Sequence, residues 1–276
     1  MKYLILGSAG QIGAALTIHL KEKGEEVLEF DIEDSAEQDL RIYKNTLLDT
    51  LVAEADFVFF LASDVGGSRY LAQYQNTFDF IDNNTALMLN TFRALKKHKK
   101  PFLFASSQMS NMSYSSYGCA KALGENYTRI LGGLVVKFWN VYGLEHDMEK
   151  AHVITDFILK AKNTGVIDMM TDGTEERQFL HTEDCCQALL TLATKYDSVP
   201  RDKELHITSF SWTNILNVAN IIASHFPETK VVPASSKDEV QKNKRNEADD
   251  FITNYWQPTI TIEEGIADII KKMNLN

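Results

Sequence analysis

The stretch Tyr3-Leu4-Ile5-Leu6-Gly7-Ser8-Ala9-Gly10-Gln11-Ile12-Gly13 decides the fold. An apolar run, Tyr3 to Leu6, breaks into three glycines spaced by three residues. Ile12, Ala15, Leu16, His19 and Leu20 then recur at the threes and fours of a helix face. Strand, glycine turn and helix in direct succession present backbone N–H groups to a phosphate at a helix N-terminus. The spacing is the longer G-x-x-G-x-x-G form of the dinucleotide fingerprint. Eighteen residues after Gly13, a second apolar run, Val27 to Phe30, ends in Asp31. A carboxylate there accepts hydrogen bonds from ribose hydroxyls and repels a 2′-phosphate. The stretch therefore predicts NAD rather than NADP, held by Gly7, Gly10, Gln11, Ile12, Gly13, Asp31 and Ile32.

Helix patterns near 43–54, 77–97 and 117–131 alternate with apolar strands at 56–61, 102–105 and 134–138. Strands that are apolar throughout belong to a parallel sheet covered on both faces. The expected fold is α/β, a doubly wound parallel sheet (Rossmann) with a small discontinuous C-terminal substrate lobe. After Asn140 the rhythm changes. Helices are expected near 150–162, 183–195, 211–224 and 261–273, with strands at 166–170, 177–181, 205–208 and 230–232. The charged stretch 234–250 reads as a loop or mobile segment. Residues 1–145 form the expected NAD-binding domain, to which 180–210 return; 146–179 and 211–276 form the substrate-binding lobe.

Of 276 residues, 44% are hydrophobic, enough for a sizeable core, and the net charge is −10. That balance argues against nucleic acid or an anionic membrane as the main partner. No apolar stretch approaches the roughly 20 residues of a membrane span. Met1-Lys2-Tyr3 runs straight into the first strand, leaving no room for a signal peptide. The three cysteines, Cys119, Cys185 and Cys186, show no metal-ligand spacing, so no metal is expected and a reduced, cytoplasmic protein is the simplest reading.

Tyr117 and Lys121 lie four apart, on one helix face. A nearby ammonium favours the phenolate, and the expectation is a tyrosine whose pKa is lowered towards working pH. Ser107 ends the preceding strand, at the edge where ligands of such sheets bind. These three are the expected catalytic residues.

The glycine motif, Asp31, Asp39-Leu40, Leu61-Ala62, Asn84, Ser107, the Tyr117/Lys121 pair, Asn140-Val141-Tyr142-Gly143 and the segment Asp172 to Asp184 together resemble the extended short-chain dehydrogenase/reductases, the NAD-dependent nucleotide-sugar epimerases and dehydratases. The resemblance spans about residues 1–210. It implies a tightly held NAD, an NDP-hexose and hydride exchange at a sugar carbon, C4 being the expected position. Asp39 and Leu40 would flank the adenine; Leu61, Ala62 and Ala105 would line the cofactor; Asn84 and Lys121 would support it. Asn140 and Arg177 would touch the diphosphate. It also implies a homodimer through the helices near 77–97 and 117–131. Glu149-Lys150-Ala151 and His152-Val153-Ile154 resemble segments bearing a second acid/base in GDP-mannose 3,5-epimerases and GDP-fucose synthases, making Lys150 and His152 substrate-side candidates. The cysteine those subfamilies require is replaced by Met109, and the dehydratase acid pair by Gln108 and Met109. Two-sided epimerisation and dehydration are therefore disfavoured. A C4 epimerase, a C4 reductase or a dehydrogenase remain, with a non-catalytic NAD-binding relative as the reading of another class.

Overall fold

A computed structural model describes residues 1–145, 151–237 and 246–274. The first half alternates as expected: β1 (Lys2–Leu6), α1 (Gln11–Glu22), β2 (Glu26–Phe30), α2 (Thr46–Glu54), β3 (Phe57–Phe60), α3 (Ser68–Tyr74), α4 (Phe78–His98), β4 (Phe102–Ser107), α5 (Ser116–Leu131) and β5 (Leu134–Phe138). The second half holds β6 (Asn140–Tyr142), α6 (Val153–Thr164), β7 (Val166–Asp168), β8 (Glu176–His181), α7 (Thr182–Thr194), β9 (Leu205–Ile207), β10 (Trp212–Asn214), α8 (Ile215–Ser224), β11 (Lys230–Val232) and α9 (Ile262–Lys272).

Six strands pair in parallel in the order β2-β1-β3-β4-β5-β9. Alternate residues feed opposite faces. Tyr3, Ile5, Phe57, Phe59, Leu103 and Val136 share a core with Leu16 and Leu20 of α1 and Leu189 and Leu192 of α7. Leu4, Leu6, Val58, Phe60, Phe102 and Phe104 pack with residues of α2 and α4. The chain leaves β1 towards β2 on one side and resumes with β3 on the other. That reversal opens a crevice at the carboxyl ends of β1 and β3, where doubly wound sheets bind ligands.

The remaining strands form a three-stranded sheet, β10-β8-β6, and a two-stranded one, β11-β7. A separate core joins Phe157 and Ile158 of α6, Val218 and Ile222 of α8, and Ile266 and Ile270 of α9. Two ties bind this part to the main sheet. Ile252 and Trp256 are buried in the main core, with Phe251 and Tyr255 packed against it. Asp184, fully buried at the start of α7, accepts bonds from Thr259 N, Thr259 Oγ1 and Ile260 N, each at 2.8 Å.

Three elements differ from the sequence reading. Ser68–Tyr74 is helical where a loop was expected. Asn140–Tyr142 is a strand, because β8 lies alongside to pair with it. The helix expected from residue 211 starts at Ile215: Trp212–Asn214 pair antiparallel with β8, and the Asn214 side chain caps the helix by accepting from Asn217 N at 2.7 Å.

Candidate active site

A cleft of about 1240 Å³ follows the carboxyl edge of the main sheet. Its floor is the glycine turn. Gly7 sits at φ +92°, and a Cβ there would lie 2.7 Å from Ala62 N. A Cβ on Gly13 would stand 1.9 Å from Gly7 O, so α1 approaches the turn backbone to backbone. No side chain caps α1, whose N-cap is Gly10. Ser8 Oγ and Gln11 Nε2 are buried, line the cleft and have no partner among the described residues. Free amides at a helix start, with two polar side-chain atoms awaiting a partner, fit a pyrophosphate. The residues present therefore suit a dinucleotide.

At the β2 end, Asp31 accepts from Ala9 N at 3.0 Å and Glu33 N at 3.1 Å, tying its carboxylate to the glycine turn. Ile32, Asp39 and Leu40 line the same end, as do Ile12, Leu61, Ala62 and Ala105 along the cleft. Burial acts to raise the Asp39 pKa, but the Arg41 guanidinium outweighs it and holds the carboxyl below its usual range. Arg41, which the sequence reading passed over, grips Asp39 through Nε and Nη2, both at 2.9 Å, and donates to Asn83 Oδ1 at 2.9 Å. Asn84 is placed differently from the expectation. It does not line the cleft but lies 3% exposed behind it. There it accepts from Ser63 Oγ and Asp64 N and donates to Asp64 O, which shapes the turn after β3.

Ser107, Tyr117 and Lys121 converge on the cleft where β4 ends and α5 begins. The Ser107 hydroxyl lies near enough to the Tyr117 phenol to act on its pKa. Lys121 Nζ donates to Ala105 O at 2.8 Å and stands 5.6 Å from the centre of the Tyr117 ring. The expected lowering of the phenol is reversed here. Burial pushes Tyr117 up to about 12, against a smaller opposing effect from Ser107. The same burial brings Lys121 down to about 7, so the ammonium is itself disfavoured.

Across the cleft stand Trp139, Asn140, Glu145, His152 and Arg177. Asn140 Nδ2 donates to Gln178 O at 3.3 Å, and Arg177 Nη1 to Glu176 O at 2.8 Å. Glu145, unsuspected from the sequence, has a 7% exposed side chain and meets His152 Nδ1 at 2.5 Å. Burial raises its pKa, but the imidazole prevails and the carboxyl is held low. Lys150 lies outside the described residues. Trp139 Nε1 donates to His206 Nδ1 at 3.0 Å. Among the described residues, no group of three His, Cys, Asp or Glu could hold a metal, and no helix is long and apolar enough to cross a membrane.

The fold and this cleft place the chain in the Rossmann class of dinucleotide-dependent proteins, of the short-chain dehydrogenase/reductase type. The chain belongs to the NAD dependent epimerase/dehydratase family, whose sequence profile matches residues 3–208. It is an enzyme of that family, and NAD is its cofactor. It is 24% identical to a GDP-L-fucose synthase of Sinorhizobium fredii, the match covering 95% of this chain and 92% of that one. It is 22% identical to a UDP-glucuronic acid decarboxylase of Danio rerio, over 98% and 72% of the two chains. Its fold superposes on an epimerase of Methanothermobacter thermautotrophicus with TM-score 0.86, at 19% identity over 99% and 92%.

Proposed function

We propose that this enzyme exchanges hydride at C4 of an NDP-hexose and works as a nucleotide-sugar epimerase. The observation that carries the reading is the convergence of Ser107, Tyr117 and Lys121 on one cleft, with Lys121 one helical turn beyond Tyr117 on α5. NAD, when bound, would supply the hydride acceptor and, while oxidised, a positive charge that favours the phenolate. Tyr117 takes the proton from the sugar hydroxyl as the carbon–hydrogen bond breaks, and Ser107 donates to the same oxygen. Lys121 supports the ribose and the phenol. An epimerase outcome would need the ketone to turn over in the cleft before it is reduced on its other face, with Tyr117 returning the proton. Asn140 and Arg177 are assigned to the diphosphate, Lys150 to the substrate side, Asp31 to the cofactor, and Asn84 to supporting the cofactor side from behind, through the turn after β3. The segments 146–179 and 211–276 are assigned to substrate binding, as relatives bearing nucleotide sugars support: one neighbour is a UDP-glucose 4-epimerase of Thermotoga maritima solved with UDP-glucose.

Gln108 and Met109 offer no acid for water elimination, which disfavours dehydration. The His152–Glu145 pair supports one other reading, a C4 reductase or dehydrogenase that releases its product, since it puts a second proton-transfer group on the cleft. A homodimer is supported by apolar side chains left exposed on α4 and α5, among them Phe78 at 80% and Ile130 at 81%. Cytoplasmic residence is supported by the free cysteines.

The test incubates NAD-loaded protein with a panel of nucleotide sugars and follows both nicotinamide reduction and product stereochemistry. Epimerised sugar without released ketone supports the first reading, and stoichiometric release of NADH with ketone the second. Tyr117→Phe is expected to lower turnover by about 10²–10⁴-fold while NAD stays bound. Full activity in that variant, or inertness of the wild type towards every nucleotide sugar, would remove the proposal.

A further inference from the structure

The residue after Ser107 holds an amide whose orientation is settled by its surroundings. Gln108 lines the cleft and is 8% exposed. Asn246, 138 residues away, approaches the turn after β4 and sets one nitrogen against two oxygens of Gln108. Asn246 Nδ2 donates to the backbone carbonyl of Gln108 at 2.7 Å and to Oε1 at 2.5 Å. A carboxamide can be built either way round, so the assignment must come from the network. Here one member is beyond doubt: a backbone carbonyl only accepts. The Asn246 atom facing it is therefore the NH2 group. The Gln108 atom facing that same NH2 must in turn be its oxygen. Asn111 Nδ2, donating to Asn246 Oδ1 at 3.2 Å, agrees with this order.

With Oε1 engaged, Nε2 is the free end of the Gln108 amide. It has no partner among the described residues, and it is not one of the sealed, unsatisfied polar atoms of the interior. It is thus an N–H donor open to the cleft, one residue from Ser107, which lines the cleft with Tyr117.

We propose that Gln108 is a substrate-specificity residue: its Nε2 donates to an acceptor oxygen of the hexose close to the reacting carbon, on C3 or C6. Asn246 is the positioning residue that fixes which end of the amide is offered. The assignment rests on the reading that the cleft takes a nucleotide sugar. Its chemistry is one-sided. A hydroxyl, keto or carboxylate oxygen satisfies the donor, whereas a deoxy carbon leaves it without a partner. Met109, in an apolar cluster with Leu71, Met112 and Tyr117, offers no alternative hydrogen bond from its side chain.

The experiment measures binding to the NAD-loaded full chain, with UDP-glucose and GDP-mannose as probes. The 3-deoxy and 6-deoxy forms of each are included, with UDP and GDP as controls. In the wild type, one deoxy position is expected to weaken binding by about 10-fold. Gln108→Leu is expected to erase that difference, so that parent and deoxy sugar bind alike, with UDP and GDP affinity and NAD retention unchanged. Asn246→Asp replaces the donor by an acceptor and turns the Gln108 amide over. It should produce the same selective loss and add nothing in the Gln108→Leu background. A merely structural role for Asn246 would weaken all probes together and add to the Leu variant. If wild type and Gln108→Leu discriminate equally between parent and deoxy sugars, the assignment is overturned while the parent reading stands. Binding of UDP or GDP without any gain from a sugar would overturn both.

Discussion

Lys121 is the residue on which the pH behaviour of the free protein turns. Burial lowers its pKa from 10.5 to about 7. Between those values the unfolded chain binds a proton that the folded one does not, so stability rises with pH across this window. Below about pH 7 the folded state must keep a buried ammonium and is penalised in full. Lys121→Met removes that penalty. Measured without bound NAD, the wild type should therefore gain stability relative to the variant from pH 7 to pH 10. The gain is on the order of a few kcal/mol. Parallel thermal-denaturation curves for the two proteins across this range would show instead that the ammonium is well solvated. At this scale, what could be read from the chain was whatever sits next to its partners in sequence. Gly7, Gly10, Gly13, Asp31, Tyr117 and Lys121 announce themselves by spacing. Glu145, Arg41 and Gln108 do not: each acquires its meaning from a side chain that the fold brings to it. The pKa direction of Tyr117 was misread for a related reason, since burial is a property of the packed structure.

The element that places the reactive tyrosine is α5, and its seat on the sheet is polar as well as apolar. Ser106, Lys137 and His206 are register partners across β4, β5 and β9. Ser106 Oγ donates to Glu125 Oε1 of α5 at 2.6 Å, and Arg129 pairs with Oε2 at 2.9 Å. Lys137 reaches Glu204 at 2.6 Å and lies 3.8 Å from Glu125. Glu125 is 5% exposed, so deleting its carboxylate leaves buried partners unpaired. Glu125→Ala is expected to cost about 3 kcal/mol in urea denaturation. An unchanged urea midpoint would mean that α5 is held by apolar packing alone. The long helices and the continuous strands were legible because their patterns run for many residues. Ser68–Tyr74 and Trp212–Asn214 were not, being too short for periodicity to register. The identity of Trp212–Asn214 as a strand comes entirely from β8, a neighbour distant in sequence.

At the scale of the whole molecule, the chain passes back and forth between two cores instead of completing one before the other. Asp184→Ala would strip three donors of their buried acceptor and is expected to lower stability by about 3 kcal/mol. Equal midpoints for variant and wild type would show that water can replace the carboxylate. The residues Phe251 to Trp256 return to the sheet that the first half builds. Heating should therefore give a single calorimetric endotherm with matching van't Hoff enthalpy; two resolved endotherms would mean that the cores melt independently. The same return has a consequence for biosynthesis. Residues 251–256 emerge from the ribosome well after β9, the last strand of the sheet they pack on, has left the exit tunnel. Throughout that interval the nascent sheet, already covered elsewhere by α1 and α7, keeps an apolar patch bare beside β9, the kind of surface that recruits chaperones during translation.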